Sequence, residues 1–185
     1  MRWVALGCVF AALGTSCGGP IDASGQPGDV RIKRPSVEGE RLLEIIVDRL
    51  VVRMDRNLER RDAVLHAATP GQKAVYALWA VDGEVGNGGF EQLFYNSGVS
   101  LMDDAISGAE LIQAKRYAVL LRQASEEFAG LQFPGDSNYG VYVASIPKGT
   151  MHALDSLADR WFARDRELHR LLSAYVEAHP EEFFR

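Results

Sequence analysis

The chain has 185 residues and 47% hydrophobic content, enough for one domain with a core and short additions. Its formal net charge of −5 and its pI near 5.4 exclude a general nucleic-acid binder, so no direct nucleic-acid contact is expected. It has two cysteines, Cys8 and Cys17.

Residues 1–16 read as a signal peptide. Arg2 supplies a minimal positive start. Residues 3–13 are apolar but too few to span a bilayer, which needs ~20 apolar residues. Gly14, Thr15 and Ser16 then lead into Cys17, which resembles a bacterial lipoprotein signal with Cys17 lipidated as the first mature residue. Leu13 stands four places before the cysteine instead of the usual three, with Gly14 in that place. The alternative is a plain secretory signal cleaved nearby. The expected location is the cell envelope, lipid-anchored at the outer membrane or cell surface, with a secreted or periplasmic form as the alternative. Loss of Cys8 with the signal leaves Cys17 as the sole cysteine, so no intramolecular disulfide forms.

Residues 17–38 are rich in Gly, Pro and small polar side chains and predict a flexible tether. Residues 39–185 predict one all-α domain of about seven helices with one long irregular loop. From Glu40, the residues Leu43, Ile46, Val47, Leu50, Met54 and Leu58 recur at helical spacing and predict one continuous helix. Thr69-Pro70-Gly71-Gln72 is a helix start, with Thr69 as cap, Pro70 in the first turn and Gln72 closing a capping box. Ser100 is read as the cap of a helix carrying Leu101, Ala105, Ile106, Ala109 and Ile112. Tyr117, Leu120, Leu121, Ala124 and Phe128 form the next stripe. Residues 129–149 predict the irregular loop, with a short extended run at Val141, Tyr142 and Val143. Thr150 is read as the cap of a helix with Leu154, Leu157, Ala158, Trp161 and Phe162 inward. A last helix carries Leu168, Leu171, Leu172, Tyr175 and Val176 and stops at Pro180.

The densest chemistry lies in DGEVGNGGFEQLFYNSG, residues 82–98. Helical geometry puts Phe90, Leu93 and Phe94 on a core face and Glu91, Gln92, Tyr95 and Asn96 on the other side. Gly86, Gly88 and Gly89 either end the preceding helix or admit another backbone. The pattern is no phosphate-binding fingerprint, and no Lys or Arg stands near it. From Cys17 onward the chain holds 25 acids and 19 bases, and six of the acids fall in the base-free stretch 74–114. That stretch therefore carries the whole net negative charge. It predicts an acidic surface over residues 82–110 that faces a protein with a basic surface or a cation. The candidate binding residues are Asp82, Glu84, Asn87, Gly88, Gly89, Glu91, Gln92 and Asn96.

GEVGNGGFEQLFYNSG, preceded by AVYALWAVD and followed by LLSAYVEAHPEEF, resembles a family of small bacterial proteins named after a DNA-mimic protein. The resemblance covers roughly residues 40–185 and rests on the core NGGFxQxFxNS. Most members have no assigned biochemical function. The resemblance implies an all-α fold. For the named member it also implies a dimer whose acidic surface imitates DNA phosphates and binds a helix-turn-helix repressor. A homodimer is therefore compatible with this chain. The mimic carboxylates do not map onto positions here, because the shared motif does not contain them.

His66, His152, His169 and His179 are scattered without metal-ligand spacing, and no nucleophile elbow is present. No catalytic residue, cofactor or metal is expected, although a weak calcium site from Asp82, Glu84 and Asn87 stays open. The reading is a non-enzymatic, lipid-anchored protein-binding module. The alternatives are a DNA-mimic inhibitor of a DNA-binding protein, or a hydrolase or metal-dependent enzyme at the 84–96 cleft.

Overall fold

The computed structural model describes residues 30–54, 58–132, 138–164 and 166–185. Residues 1–29, which include the segment expected to be a signal peptide, Cys17 and most of the expected tether, lie outside them. The described residues form an all-α domain of nine helices: α1 Gly39–Met54, α2 Leu58–Ala67, α3 Pro70–Ser97, α4 Ser100–Leu111, α5 Lys115–Phe128, α6 Tyr139–Ser145, α7 Lys148–Phe162, α8 Glu167–Ala178 and α9 Pro180–Phe183. No described helix is long and apolar enough to cross a membrane.

α3 is the axis of the fold, touching α1, α4, α6, α7, α8 and α9. Its start is locked twice. Thr69 Oγ1 accepts from the Gln72 N–H at 3.2 Å, and the Gln72 side chain accepts from the Thr69 N–H at 3.1 Å, so the predicted capping box is present. Glu182, just beyond α8, then accepts from the Gly71 N–H and from the Tyr175 hydroxyl. A further free amide of the first turn is satisfied by a carboxylate, on the end where the helix dipole favours it. α4 folds back along α3 at close range. A Cβ on Gly108 would stand 2.8 Å from Ala74 Cα, so glycine sets this helix–helix separation.

α3 continues through Gly86 and kinks at Gly88 and Gly89. Gly89 has φ 81 and ψ −179, a region essentially closed to side chains. Beyond the kink, Phe90, Leu93 and Phe94 are buried as the helical sorting predicts. Phe90 meets the Trp161 ring edge-on at 5.8 Å, and Phe94 stacks on Phe128 at 4.5 Å. The stripe Tyr117, Leu120, Leu121, Ala124 and Phe128 of α5 is buried throughout.

The structure departs from the sequence reading in five places. The continuous helix expected from Glu40 to Leu58 is two helices, α1 ending at Met54 and α2 starting at Leu58. Residues 139–145, read as loop with an extended run, form α6. Asn138 caps it by accepting from the Gly140 N–H at 2.8 Å, and buried Tyr142 anchors it against Phe94 and Tyr95. Packing here overrides the strand propensity of Val-Tyr-Val. Neither Ser100 nor Thr150 is a cap: Val99 and Pro147 occupy those positions, without a side-chain cap bond. Phe162, placed inward by periodicity, is 48% exposed, because α7 ends there and the core face has already rotated away. Finally, part of the segment read as tether is packed. Val30 is buried and Ile32 forms a parallel bridge with Phe184, joined by N–H donation to the Phe183 carbonyl at 2.9 Å.

The kink assigns opposite signs to neighbouring glycines. Gly89→Ala is expected to destabilise by on the order of 1–3 kcal/mol, because alanine is strained at this φ and ψ. Gly86→Ala is expected to be neutral or stabilising by up to ~1 kcal/mol, since Gly86 is helical and an added Cβ meets only Phe162 at 3.5 Å. Chemical denaturation midpoints of the two variants check this.

Candidate functional site

Two residues apart on a helix point about 200° apart, so Asp82 and Glu84 face opposite sides of α3. The structure uses both sides. On one, Glu84 Oε2 accepts from Gln92 Nε2 at 3.1 Å and from Asn96 Nδ2 at 2.7 Å. Glu84 precedes the kink and both amides follow it, so the clamp straps the two halves of α3 together. It also holds a carboxylate in place with neutral donors. Gln92 lies over Gly88, where a Cβ would stand 2.1 Å from its side-chain oxygen. Asn87 is exposed at the bend.

Asp82 turns inward. Its Oδ1 accepts from Trp161 Nε1 of α7 at 2.8 Å, and its Oδ2 lies 3.0 Å from His169 Nε2 of α8. His169 Nδ1 in turn lies 3.0 Å from Glu40 Oε1 of α1, and Arg166 Nη1 donates to Glu40 Oε2 at 2.8 Å. The imidazole stacks on Trp79 with ring centroids 5.1 Å apart. A carboxylate on each nitrogen favours the imidazolium form of the ring. The His169 pKa is raised above 6.5, first by the hydrogen bond to Asp82 against the opposing effect of burial, then by the Asp82 charge and by Glu40. This chain of groups floors a cleft of about 310 Å³, walled by Tyr117, Trp161 and Phe162 and edged by Arg164, Arg166 and Glu167.

Glu91 takes a third direction. It is half-buried and folds back over Gly89, where a Cβ would meet its Oε2 at 2.3 Å. Burial raises its pKa, with Asp155 adding to the rise and its own backbone N–H opposing it. Its charge also contributes to the rise at the Tyr142 hydroxyl, which burial pushes up to about 12. The eight residues singled out in the sequence thus do not form one face. Glu84, Gln92 and Asn96 come together, Asp82 joins α1, α7 and α8, and Glu91 faces the tyrosines of α6.

A family model described as DMP19-like protein matches residues 66–179, well over half of the chain. The chain belongs to the DMP19-like protein family. No curated protein and no solved structure matches it. The matched span of this DMP19-like chain includes the kink, Asp82, Trp161 and His169, but not Glu40 or Glu182. Two groups that lock the domain therefore come from outside the family match.

Sequence reasoning found Asp82 and missed its partners. His169 reads as one of four scattered histidines, and its carboxylates stand 87 and 129 residues away. Asp82 itself lies within α3, six residues before the kink at Gly88, where no local feature points to those partners. Among the described residues no group of three or more His, Cys, Asp or Glu side chains is arranged to hold a metal ion.

The His169 bridge makes stability depend on pH with a definite sign. A histidine whose folded pKa is raised stabilises fully below its unfolded value near 6.5, and that contribution is lost as pH rises through the folded value. Thermal melts of the DMP19-like chain should lose stability between about pH 6.5 and the raised folded pKa, and His169→Gln should flatten that part of the profile. An unchanged profile in the variant would remove His169 as the cause.

Proposed function

We infer that this chain is a non-enzymatic module, exported and lipid-anchored through Cys17, that docks a protein with a basic surface on the outer side of the α3 kink. The observation that carries the reading is the Glu84 clamp: a carboxylate positioned by the amides of Gln92 and Asn96 keeps both its charge and its place. Asp103 and Asp104 add exposed charge on α4, which packs along α3. Fixed carboxylates on rigid helices suit recognition of a cationic surface and steer its approach. A catalytic role fits less well. Both nitrogens of His169 and both oxygens of Asp82 are engaged by neighbours, so neither has a free position for proton transfer to a substrate.

The family membership supports a second reading, a DNA-mimic inhibitor of a DNA-binding protein. Location separates the two, because a lipid-anchored envelope protein does not meet a cytoplasmic repressor. Metabolic labelling with palmitate should mark the wild type and not Cys17→Ala. Label that survives the substitution would discard Cys17 as the anchor, and an unlabelled wild type would discard lipid anchoring and favour mimicry. Docking is read by affinity capture at low and high salt. The triple variant Glu84→Gln, Asp103→Asn, Asp104→Asn should lose the salt-sensitive partner. Capture of the same partner by wild type and variant would sink the acidic-face reading. Asp82 stays intact in that variant, since its removal would disturb the interior.

A further inference from the structure

Two polar atoms beside the kink are buried and unpartnered. Among the described residues, Glu91 Oε2 and the Tyr142 hydroxyl are shielded from solvent and make no hydrogen bond. Buried polar groups are as a rule satisfied, so an orphaned acceptor beside an orphaned hydroxyl is capacity for a donor that the fold does not supply. The two belong to one site. The Glu91 charge acts on the hydroxyls of Tyr142 and Tyr139. The rings of Tyr95, Tyr139 and Tyr142 touch one another, with centroids 5.1, 5.5 and 6.4 Å apart. Glu91 and Tyr95 stand four residues apart on α3, which puts them on one face after the kink. Gly89 clears the space for the carboxylate, since a Cβ there would stand 2.3 Å from Glu91 Oε2.

The charge of this site has one sign. The charged neighbour that acts on Glu91 is another carboxylate, Asp155 of α7. Residues 74–114 contain no Lys or Arg, and α6 contains none either. Burial is the first cause of the raised Glu91 pKa, so the carboxylate is short of solvation as well as of a partner. Aromatic ring faces are negative and add attraction for a cation. Tyr142 is 4% exposed, whereas Glu91, Tyr95 and Tyr139 are partly exposed, so the site meets solvent on their side.

We propose that Glu91 and Tyr142, with the rings of Tyr95 and Tyr139, bind the head of a small primary alkylamine, its N–H donors on Glu91 Oε2 and the Tyr142 oxygen. A primary ammonium supplies three donors, one positive charge and no acceptor, which matches two orphaned oxygens and an uncompensated carboxylate. A quaternary ammonium carries the charge without an N–H for either oxygen. A metal ion lacks ligands, because the described residues hold no group of three or more His, Cys, Asp or Glu side chains arranged for one. The site does not rest on the docking reading, since it uses none of Glu84, Asp103 and Asp104, and a small amine tests it without a protein partner.

The chain has six tyrosines, few enough for each ring to be followed by NMR with isotope-labelled tyrosine and assigned by Tyr→Phe variants. Titration of the full chain with n-butylammonium, tetramethylammonium and n-butanol at constant ionic strength tests the proposal. Butylammonium should shift the rings of Tyr95, Tyr139 and Tyr142 saturably and leave Tyr117 and Tyr175 in place. Tetramethylammonium and butanol should each bind weaker by about tenfold or more, the worth of a charge-assisted hydrogen bond. Glu91→Gln should weaken butylammonium by about tenfold or more without lowering the thermal melt, because it removes a buried carboxylate oxygen that has no partner. Tyr142→Phe should weaken it by roughly threefold and also leave the melt in place, since its hydroxyl bonds to nothing in the fold. Three results would each overturn the proposal: no saturable shift of these rings, tetramethylammonium or butanol binding as tightly as butylammonium, or an affinity unchanged in Glu91→Gln.

Discussion

One carboxylate organises the interior. Asp82 takes the indole N–H of Trp161 and a ring nitrogen of His169, and through His169 it reaches Glu40 and Arg166. α1, α3, α7 and α8 therefore meet through directional bonds, whereas the apolar contacts around them are non-directional. These groups are partly buried, and their charges are offset by one another. Removing one partner costs more than the pair contributes, because it strands a charge. The relative placement of four helices thus follows from satisfying one side chain.

The kink in α3 is what lets one helix serve two sides. Before it, Asp82 faces the interior and Glu84 the outside. After it, Gln92 and Asn96 return to hold Glu84. Gly89 supplies a backbone conformation that no other residue takes cheaply, and the redirected helix puts Phe90 and Phe94 against Trp161 and Phe128. The crowding of glycines, amides and aromatics in residues 82–98 has a structural origin: a bend, its strap and its core contacts. Glu84 is where that structure also presents a fixed charge.

Charge in the sequence and charge at the surface are different quantities here. The base-free stretch 74–114 holds six acids, yet Asp82 is drawn into the interior, Glu91 folds over Gly89, and Glu110 pairs with Arg122. Glu84, Asp103 and Asp104 are left to the outer face. Elsewhere Arg164 and Arg166 stand at the edge of a cleft, paired with Glu167 and Glu40, so the charges there are matched within the chain.

Whatever depends on near neighbours along a helix is legible in the order of the residues. The all-α class, the capping box at Thr69 and Gln72, the buried stripe of α5 and the inward set Phe90, Leu93 and Phe94 all follow from the helical repeat and local hydrogen bonding. Periodicity misplaced Phe162 because it does not say where a helix stops, and it missed α6 because Tyr142 is anchored by rings from another helix. The partners of Asp82, the strap on Glu84 and the composition of the cleft emerge from the packed domain. His169 and Glu40 stand 129 residues apart, and no local rule ranks one of four histidines above another. Such contacts arise when the chain folds back and buried polar groups must find partners, a condition on the whole packing that neighbouring residues do not encode.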